Sequence, residues 1–208
     1  EAWPYPSVTN LAVSIFKAVD NSAIKNLTIT NSAQSAETTG ILHIERTINF
    51  LAESVLITGN TSKRGVFVDI VINSEFRNVE SSYNGTTSAH DGFFIRSIKR
   101  VIFYNCSALG NAGTGFEINS VSSEGNAFYS CFAEGNTGDG FDFNGTSNMF
   151  SCRSMGNDGN GYELNGDLNV LTACSAIDNG GSGVEINAGS DGLIQGCLLK
   201  NNDTFGVD

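Results

Sequence analysis

Residues 135–145 read GNTGDGFDFNG. Two aspartates three positions apart, flanked by turn-forming asparagine and glycine and by two aromatics, suit either a loop that gathers carboxylates or one copy of a repeat. Working outward decides between them. The same cadence returns as NAGTGFEI at 111–118, NTGDGFDF at 136–143, NDGNGYEL at 157–164 and NGGSGVEI at 179–186. A glycine followed by an apolar residue recurs at Gly40, Gly65, Gly92, Gly115, Gly140, Gly161, Gly183 and Gly206, at spacings of 25, 27, 23, 25, 21, 22 and 23 residues. A period in this range is the mark of a solenoid.

The cysteines give the same frame independently. Cys106, Cys131, Cys152, Cys174 and Cys197 each lie nine residues before the glycine of their segment. Three residues before them stand Phe103, Phe128, Met149, Leu171 and Ile194, all apolar. Within a segment the pattern has period two, Phe116 inward, Glu117 outward, Ile118 inward, as a strand requires. Every copy has the same strand order and phase, so antiparallel hairpins are excluded. Each copy is read as one coil of a parallel β-helix that pairs with the coils above and below it.

The Asn-x-x-x-Gly-apolar-x-apolar cadence resembles the right-handed parallel β-helix repeats of the pectin-lyase-like superfamily, strongly over residues 99–208 and more weakly over 23–98. The resemblance implies an all-β solenoid, here of about eight coils. For activity it implies little, since such folds include lyases, hydrolases, epimerases, phage tailspikes, adhesins and non-catalytic surface proteins.

Stacking at the inter-strand distance of about 4.8 Å turns each repeat position into a column. Phe93, Phe116, Phe141 and Tyr162 form an inward aromatic column. The cysteines form a column of small apolar core residues; their number is odd, and CxxC metal spacing is absent. Asparagine recurs four residues before the glycine, at Asn111, Asn136, Asn157, Asn179 and Asn202, and four after it, at Asn119, Asn144, Asn165 and Asn187. Asparagine tolerates left-handed backbone and bonds its own turn, so both sets read as fasteners of the bends.

One column invites a function. Two residues after the glycine come Glu117, Asp142, Glu163, Glu185 and Asp208, where earlier coils carry Leu42, Phe67 and Phe94. Like charges at this spacing repel by about 1 kcal/mol even in bulk water, and like-charged cross-strand neighbours are usually avoided. Three readings compete: a solvated face that keeps the solenoid from aggregating; a cation site in which Asp142, Glu163 and Glu185 share Ca²⁺; and a carbohydrate face formed by Glu117, Asp139, Asp142, Glu163 and Glu185.

Asp139-Gly140-Phe141-Asp142 is similar to the DG-aromatic-D stretch of polysaccharide lyase family nine, which would imply calcium-assisted proton abstraction. Glu163 stands where that family's lysine base would be needed. Polygalacturonase-like motifs are not matched. His90-Asp91-Gly92-Phe93 resembles the His and carboxylate region of alginate epimerases.

Charge narrows the partners. The 208 residues carry a formal net charge of −11, which excludes a nucleic-acid backbone as ligand. Residues 1–104 hold nine basic and nine acidic side chains, whereas 105–208 hold two and thirteen. A bound polyanion is therefore expected near Lys63, Arg64, Arg77, Arg96, Lys99 and Arg100. No apolar run is long enough for a membrane span. Residues 1–22 read as an N-terminal cap, with 7–19 as a short amphipathic helix over the open end, and 23–208 as the β-helix domain.

The expectation is thus a non-catalytic, rigid surface module of a larger extracellular, cell-surface or virion assembly. It would meet protein partners or a polysaccharide or cell-surface glycan, in the manner of tailspikes that bundle as homotrimers. The alternative is a pectate-lyase-like lyase, hydrolase or epimerase with Asp139 and Asp142 as its carboxylates.

Overall fold

The computed structural model describes residues 7–9, 13–16, 20–30, 40–61, 63–187 and 191–208, with side chains described from residue 20 onward. The glycine-led segments are the strands Phe116–Ile118, Phe141–Phe143, Tyr162–Leu164 and Val184–Ile186. Each pairs in parallel with its equivalent one coil away, Phe116 with Phe141, Phe141 with Tyr162 and Tyr162 with Val184. Together with Val13–Phe16, Leu42–Ile48, Val66–Ile72 and Phe93–Arg96 they form an eight-stranded sheet. A fourteen-stranded sheet forms the rest of each coil, and the described residues make a parallel β-solenoid of about seven turns.

The second sheet turns a corner. In the early coils the eight-residue strands Leu51–Thr58 and Glu75–Ser82 run through it. Later it separates two strands, such as Asn126–Tyr129 and Phe132–Glu134. A left-handed residue makes the bend each time, at Ser54, Asn78, Asn105, Ser130 and Ser151, with φ between 49° and 55°. The next residue is Val55, Val79 or a cysteine. All five thiols are free, and all but the half-buried Cys197 are buried. Each donates to a carbonyl of the preceding coil, Cys106 to Phe76 at 3.4 Å and Cys131 to Phe103 at 3.5 Å. The cysteine thus fills a valine-sized place and satisfies its weak donor.

Two aromatic ladders meet in the core. Phe93, Phe116, Phe141 and Tyr162 stack at 4.5, 5.0 and 5.0 Å. Phe76, Phe103 and Phe128 stack at 4.8 and 4.6 Å. The ladders touch edge to face, Phe116 against Phe128 at 6.0 Å, which is the favourable complement to parallel stacking within each.

A buried ladder of asparagines closes another corner. Asn60, Asn84, Asn111, Asn136, Asn157 and Asn179 each pass an amide hydrogen to the Oδ1 of the next, as from Asn111 to Asn136 at 3.0 Å and from Asn136 to Asn157 at 2.9 Å, and the row ends at the half-buried Asn202. Each Oδ1 also accepts the backbone N–H of the preceding asparagine. Glycine is required beside this ladder for space: a Cβ on Gly140 would collide with Ser154 Oγ and lie 2.7 Å from the Gly161 carbonyl oxygen.

The N terminus differs from the sequence reading. Ser7–Thr9 and Val13–Phe16 are strands, not a helix, and pair in parallel with Thr28–Thr30 and Leu42–Glu45; residues 10–12 and 17–19 lie outside the described residues. Strand pairing satisfies the backbone groups of the first coil, which a helix laid across it would leave open. Among the described residues no helix is long and apolar enough to cross a membrane.

Candidate functional site on the outer face of the eight-stranded sheet

Two columns point outward from the eight-stranded sheet. The first runs His43, Phe67, Phe94, Glu117, Asp142, Glu163 and Glu185. The sequence alignment on glycine placed Leu42 in this column. The register instead pairs Leu42 with Val66, and Leu42 is fully buried. Gly40 sits one residue out of phase with the later glycines, so His43 takes the outward place. Asn119, Asn144, Asn165 and Asn187, two residues after the carboxylates, form the second column, preceded by Arg96, Asp69 and Glu45.

The N-terminal end of the face is aromatic and cationic. His43 meets Phe67 edge-on at 4.6 Å, and Phe67 stacks on Phe94 at 5.7 Å. The guanidinium carbons of Arg64 and Arg96 lie 3.9 Å and 5.1 Å from the Phe94 and Phe67 ring centroids. Asp91 accepts from Arg64 Nε at 2.8 Å, and Asp69 from Arg96 at 2.6 Å. Lys99 is likewise paired, with Glu124, and Arg77 with Glu75. The cations that the sequence offered to a polyanion are therefore largely neutralised by neighbouring carboxylates.

The C-terminal end is acidic, and amides organise it. Asn119 donates to Glu117; Asn165 donates to Asp142 at 3.0 Å and to Glu163 at 3.0 Å. Asn187 donates to Glu163 at 3.2 Å and to Asn165, and Asn160 donates to Glu185 at 2.6 Å. The outward asparagines, which the sequence reading treated as bend fasteners, hold the carboxylates in place on the face.

Asp139 has a different job from Asp142. Its Oδ1 accepts the backbone N–H of Asn160 at 2.5 Å. Asp91 does the same for Thr114 at 3.0 Å, and the Oδ1 of Asn160 for Ser182 at 2.7 Å. These three residues each stand one place before the glycine, so Asp139 belongs to a turn ladder shared between coils. Its sequence signal is the glycine two residues before the main one, which leaves room for the oxygen: a Cβ on Gly113 would lie 2.5 Å from Asp91 Oδ1.

Partial burial answers the repulsion foreseen for the acidic column. It raises Glu117 to about 7, with the Asp91 charge adding to the effect and the Asn119 amide opposing it. Burial raises Asp142 to about 7, helped by the charges of Glu163, Glu117 and Asp139. Asp139 rises to about 6, again first through burial, while the Asn160 N–H works against it. Near neutral pH Glu117 and Asp142 are partly protonated and Asp139 is mostly ionised, so the face carries less charge than its composition states.

These shifts have a measurable consequence. An acid whose folded pKa lies above its ordinary value of 3.8 or 4.5 holds its proton more tightly when folded. It therefore costs stability as pH rises from that ordinary value through about 7. The melting temperature is expected to fall by roughly 5 °C between pH 5 and pH 8, allowing for the partial exposure of both groups. The double variant Glu117→Gln/Asp142→Asn should flatten that profile; an unchanged slope in calorimetry would mean that the two carboxyls are ordinary.

Among the described residues no group of three or more His, Cys, Asp or Glu side chains converges to hold a metal ion. Asp142, Glu163 and Glu185 share a column, and each accepts at least one amide hydrogen bond, as described above.

No family model and no curated protein matches the chain. Among solved structures it is similar to the A-module of the mannuronan C-5 epimerase of Azotobacter vinelandii, at 16% identity and a TM-score of 0.59, over 87% of this chain and 64% of that one. It is also similar to the ORF18 protein of Geobacillus virus E2, at 12% identity and a TM-score of 0.53, over 98% of this chain and 51% of that one. The chain thus spans less than two thirds of the length of either. At such identities the likeness concerns the backbone, and with the stacked parallel coils it establishes that the chain has a parallel β-helix fold.

Proposed function

We propose that the chain is a glycan-binding β-helix module whose ligand, a hydroxyl-rich polysaccharide strand, lies along the outer face of the eight-stranded sheet. The observation that carries this reading is the pair of columns in which Glu117, Asp142, Glu163 and Glu185 stand beside Asn119, Asn144, Asn165 and Asn187. A carboxylate accepts hydrogen bonds, and an amide both accepts and donates, so each rung offers the complement of neighbouring hydroxyls. Rungs recur at about 4.8 Å, comparable with one unit of an extended glycan. The strands fix the side chains before the ligand arrives, which lowers the ordering cost of binding. We infer an extracellular or virion setting for such a module, a reading supported by the viral protein among the similar folds.

Cellulose-, mannan- and starch-type polymers, with alginate and polygalacturonate as charged comparators, test this by affinity electrophoresis. At least one neutral polymer should retard the protein, and Glu163→Ala/Asn165→Ala should weaken that binding about tenfold or more. Free migration through every polymer, or a variant that binds like the parent, would refute the proposal.

A specific observation also favours an enzymatic reading. Glu117, raised to about 7 by burial and by the neighbouring Asp91 charge, stands beside an aspartate that Arg64 holds at 2.8 Å. A carboxyl that can hold its proton near neutral pH beside a second carboxyl is what general acid and base catalysis uses. On this reading the working pair is Asp91 and Glu117; Asp91, like Asp139, also holds a turn through Oδ1, and its Oδ2 pairs with Arg64. Release of reducing ends or of unsaturated uronates from the same polymers, abolished by Glu117→Gln, would establish it; release that survives this substitution would exclude the pair.

A further inference from the structure

A second outward aromatic ladder lies on the fourteen-stranded sheet, at the positions two residues before the cysteines. Tyr104 and Tyr129 stack at 4.9 Å with 16° between their planes, and Tyr129 and Phe150 at 5.0 Å with 11°. All three rings are half-buried. Tyr129 is covered on both faces by its neighbours. The free face of Tyr104 looks toward the preceding coil, where the register places Arg77.

Arg77 does not close on that face. Its guanidinium carbon is 5.6 Å from the ring centroid, against 3.9 Å for Arg64 over Phe94. Glu75 draws it aside, bonded at 2.7 Å to Nε and at 2.5 Å to a terminal nitrogen. The space left is a groove of about 310 Å³ lined by Glu53, Arg77, Asn78, Tyr104 and Asn105. Its charges balance locally, because Glu53 pairs with Lys25 at 2.7 Å and Arg77 with Glu75. Asn78 and Asn105 are both corner residues, with φ of 52° and 49°, so the sharp backbone bend fixes where their amides stand.

We propose that this groove is a subsite for one neutral pyranose. The apolar face of the sugar rests on Tyr104, and its hydroxyls meet the Glu53 carboxylate, the Asn78 and Asn105 amides and the Arg77 guanidinium. An aromatic floor with a few convergent donors and acceptors is the usual make-up of a small-molecule site, and the volume is at the small end of that class. The absence of net charge selects against phosphates and uronates. The site lies on a different sheet from the proposed glycan strip and stands without it.

The test is saturation-transfer NMR with the methyl glycosides of glucose, galactose and mannose, and with glucuronate as the charged probe. At least one neutral glycoside should receive saturation, with glucuronate weaker. Its affinity should drop about fivefold or more in Tyr104→Ala and in Glu53→Ala, and persist in Tyr104→Phe and in Glu163→Ala/Asn165→Ala. Circular dichroism melting confirms that each variant is folded. Three outcomes would overturn the proposal: no transfer to any of the three glycosides, undiminished transfer in folded Tyr104→Ala, or loss of transfer in Glu163→Ala/Asn165→Ala, which would assign the sugar to the other sheet.

Discussion

Asn136→Asp is expected to lower the free energy of unfolding by about 3–5 kcal/mol at pH 7, read from the denaturant midpoint at unchanged slope. Asn136 is buried, and its Nδ2 donates to the Ala108 carbonyl at 3.0 Å and to Asn157 Oδ1 at 2.9 Å. A carboxylate keeps the shape, loses both donated bonds and sets a negative charge against two acceptors. Burial raises the pKa of such a group, so the variant should recover part of its stability as pH falls and it takes up a proton. A loss below about 1 kcal/mol, the typical net worth of one hydrogen bond, would mean that the asparagine ladder decorates the bend without holding it.

Phe116→Ala should cost a comparable amount, about 3–5 kcal/mol. The ring is fully buried, stacked between Phe93 and Phe141 and set edge-on to Phe128. Its removal cuts one ladder in the middle and opens a cavity that the strands cannot close, because the 4.8 Å spacing between coils is fixed by backbone hydrogen bonds. Phe116→Leu keeps most of the volume and should cost about 1–2 kcal/mol. Equal losses for alanine and leucine in urea unfolding would show that the aromatic stack, and not the filled volume, supplies the stability.

The fold was legible because the last five coils are nearly equal in length, so glycine, cysteine and asparagine fall at constant offsets. Where coil lengths change, the offsets broke. Asn60 and Asn84 belong to the buried ladder but stand five and eight residues before their glycines, Gly65 and Gly92. Gly40 is one residue out of phase, which exchanged Leu42 for His43. At residues 7–19 helix and strand patterns fit equally, and the waiting edges of the first coil decided for strands.

The candidate face was legible as a column of carboxylates but not as a system. Which asparagines turn to the carboxylates, which carboxyls are half-buried enough to keep a proton, and that Asp139 serves a turn all depend on side chains one coil away. The outward ladder of Tyr104, Tyr129 and Phe150 did have a signal, two positions before the cysteines, although the alignment was read for its inward residues.

The asparagine ladder also makes length adjustable. Asn136 and Asn157 are 21 residues apart and occupy equivalent places. Excising residues 137–157 joins Asn136 to Asp158 and leaves the motif NDGNG intact. Insertion or loss of one such unit lengthens or shortens the molecule by a single step and leaves every remaining contact type unchanged. The protein is in effect a ruler graduated in coils, on which the span available to a bound chain can be reset without redesigning any of its marks.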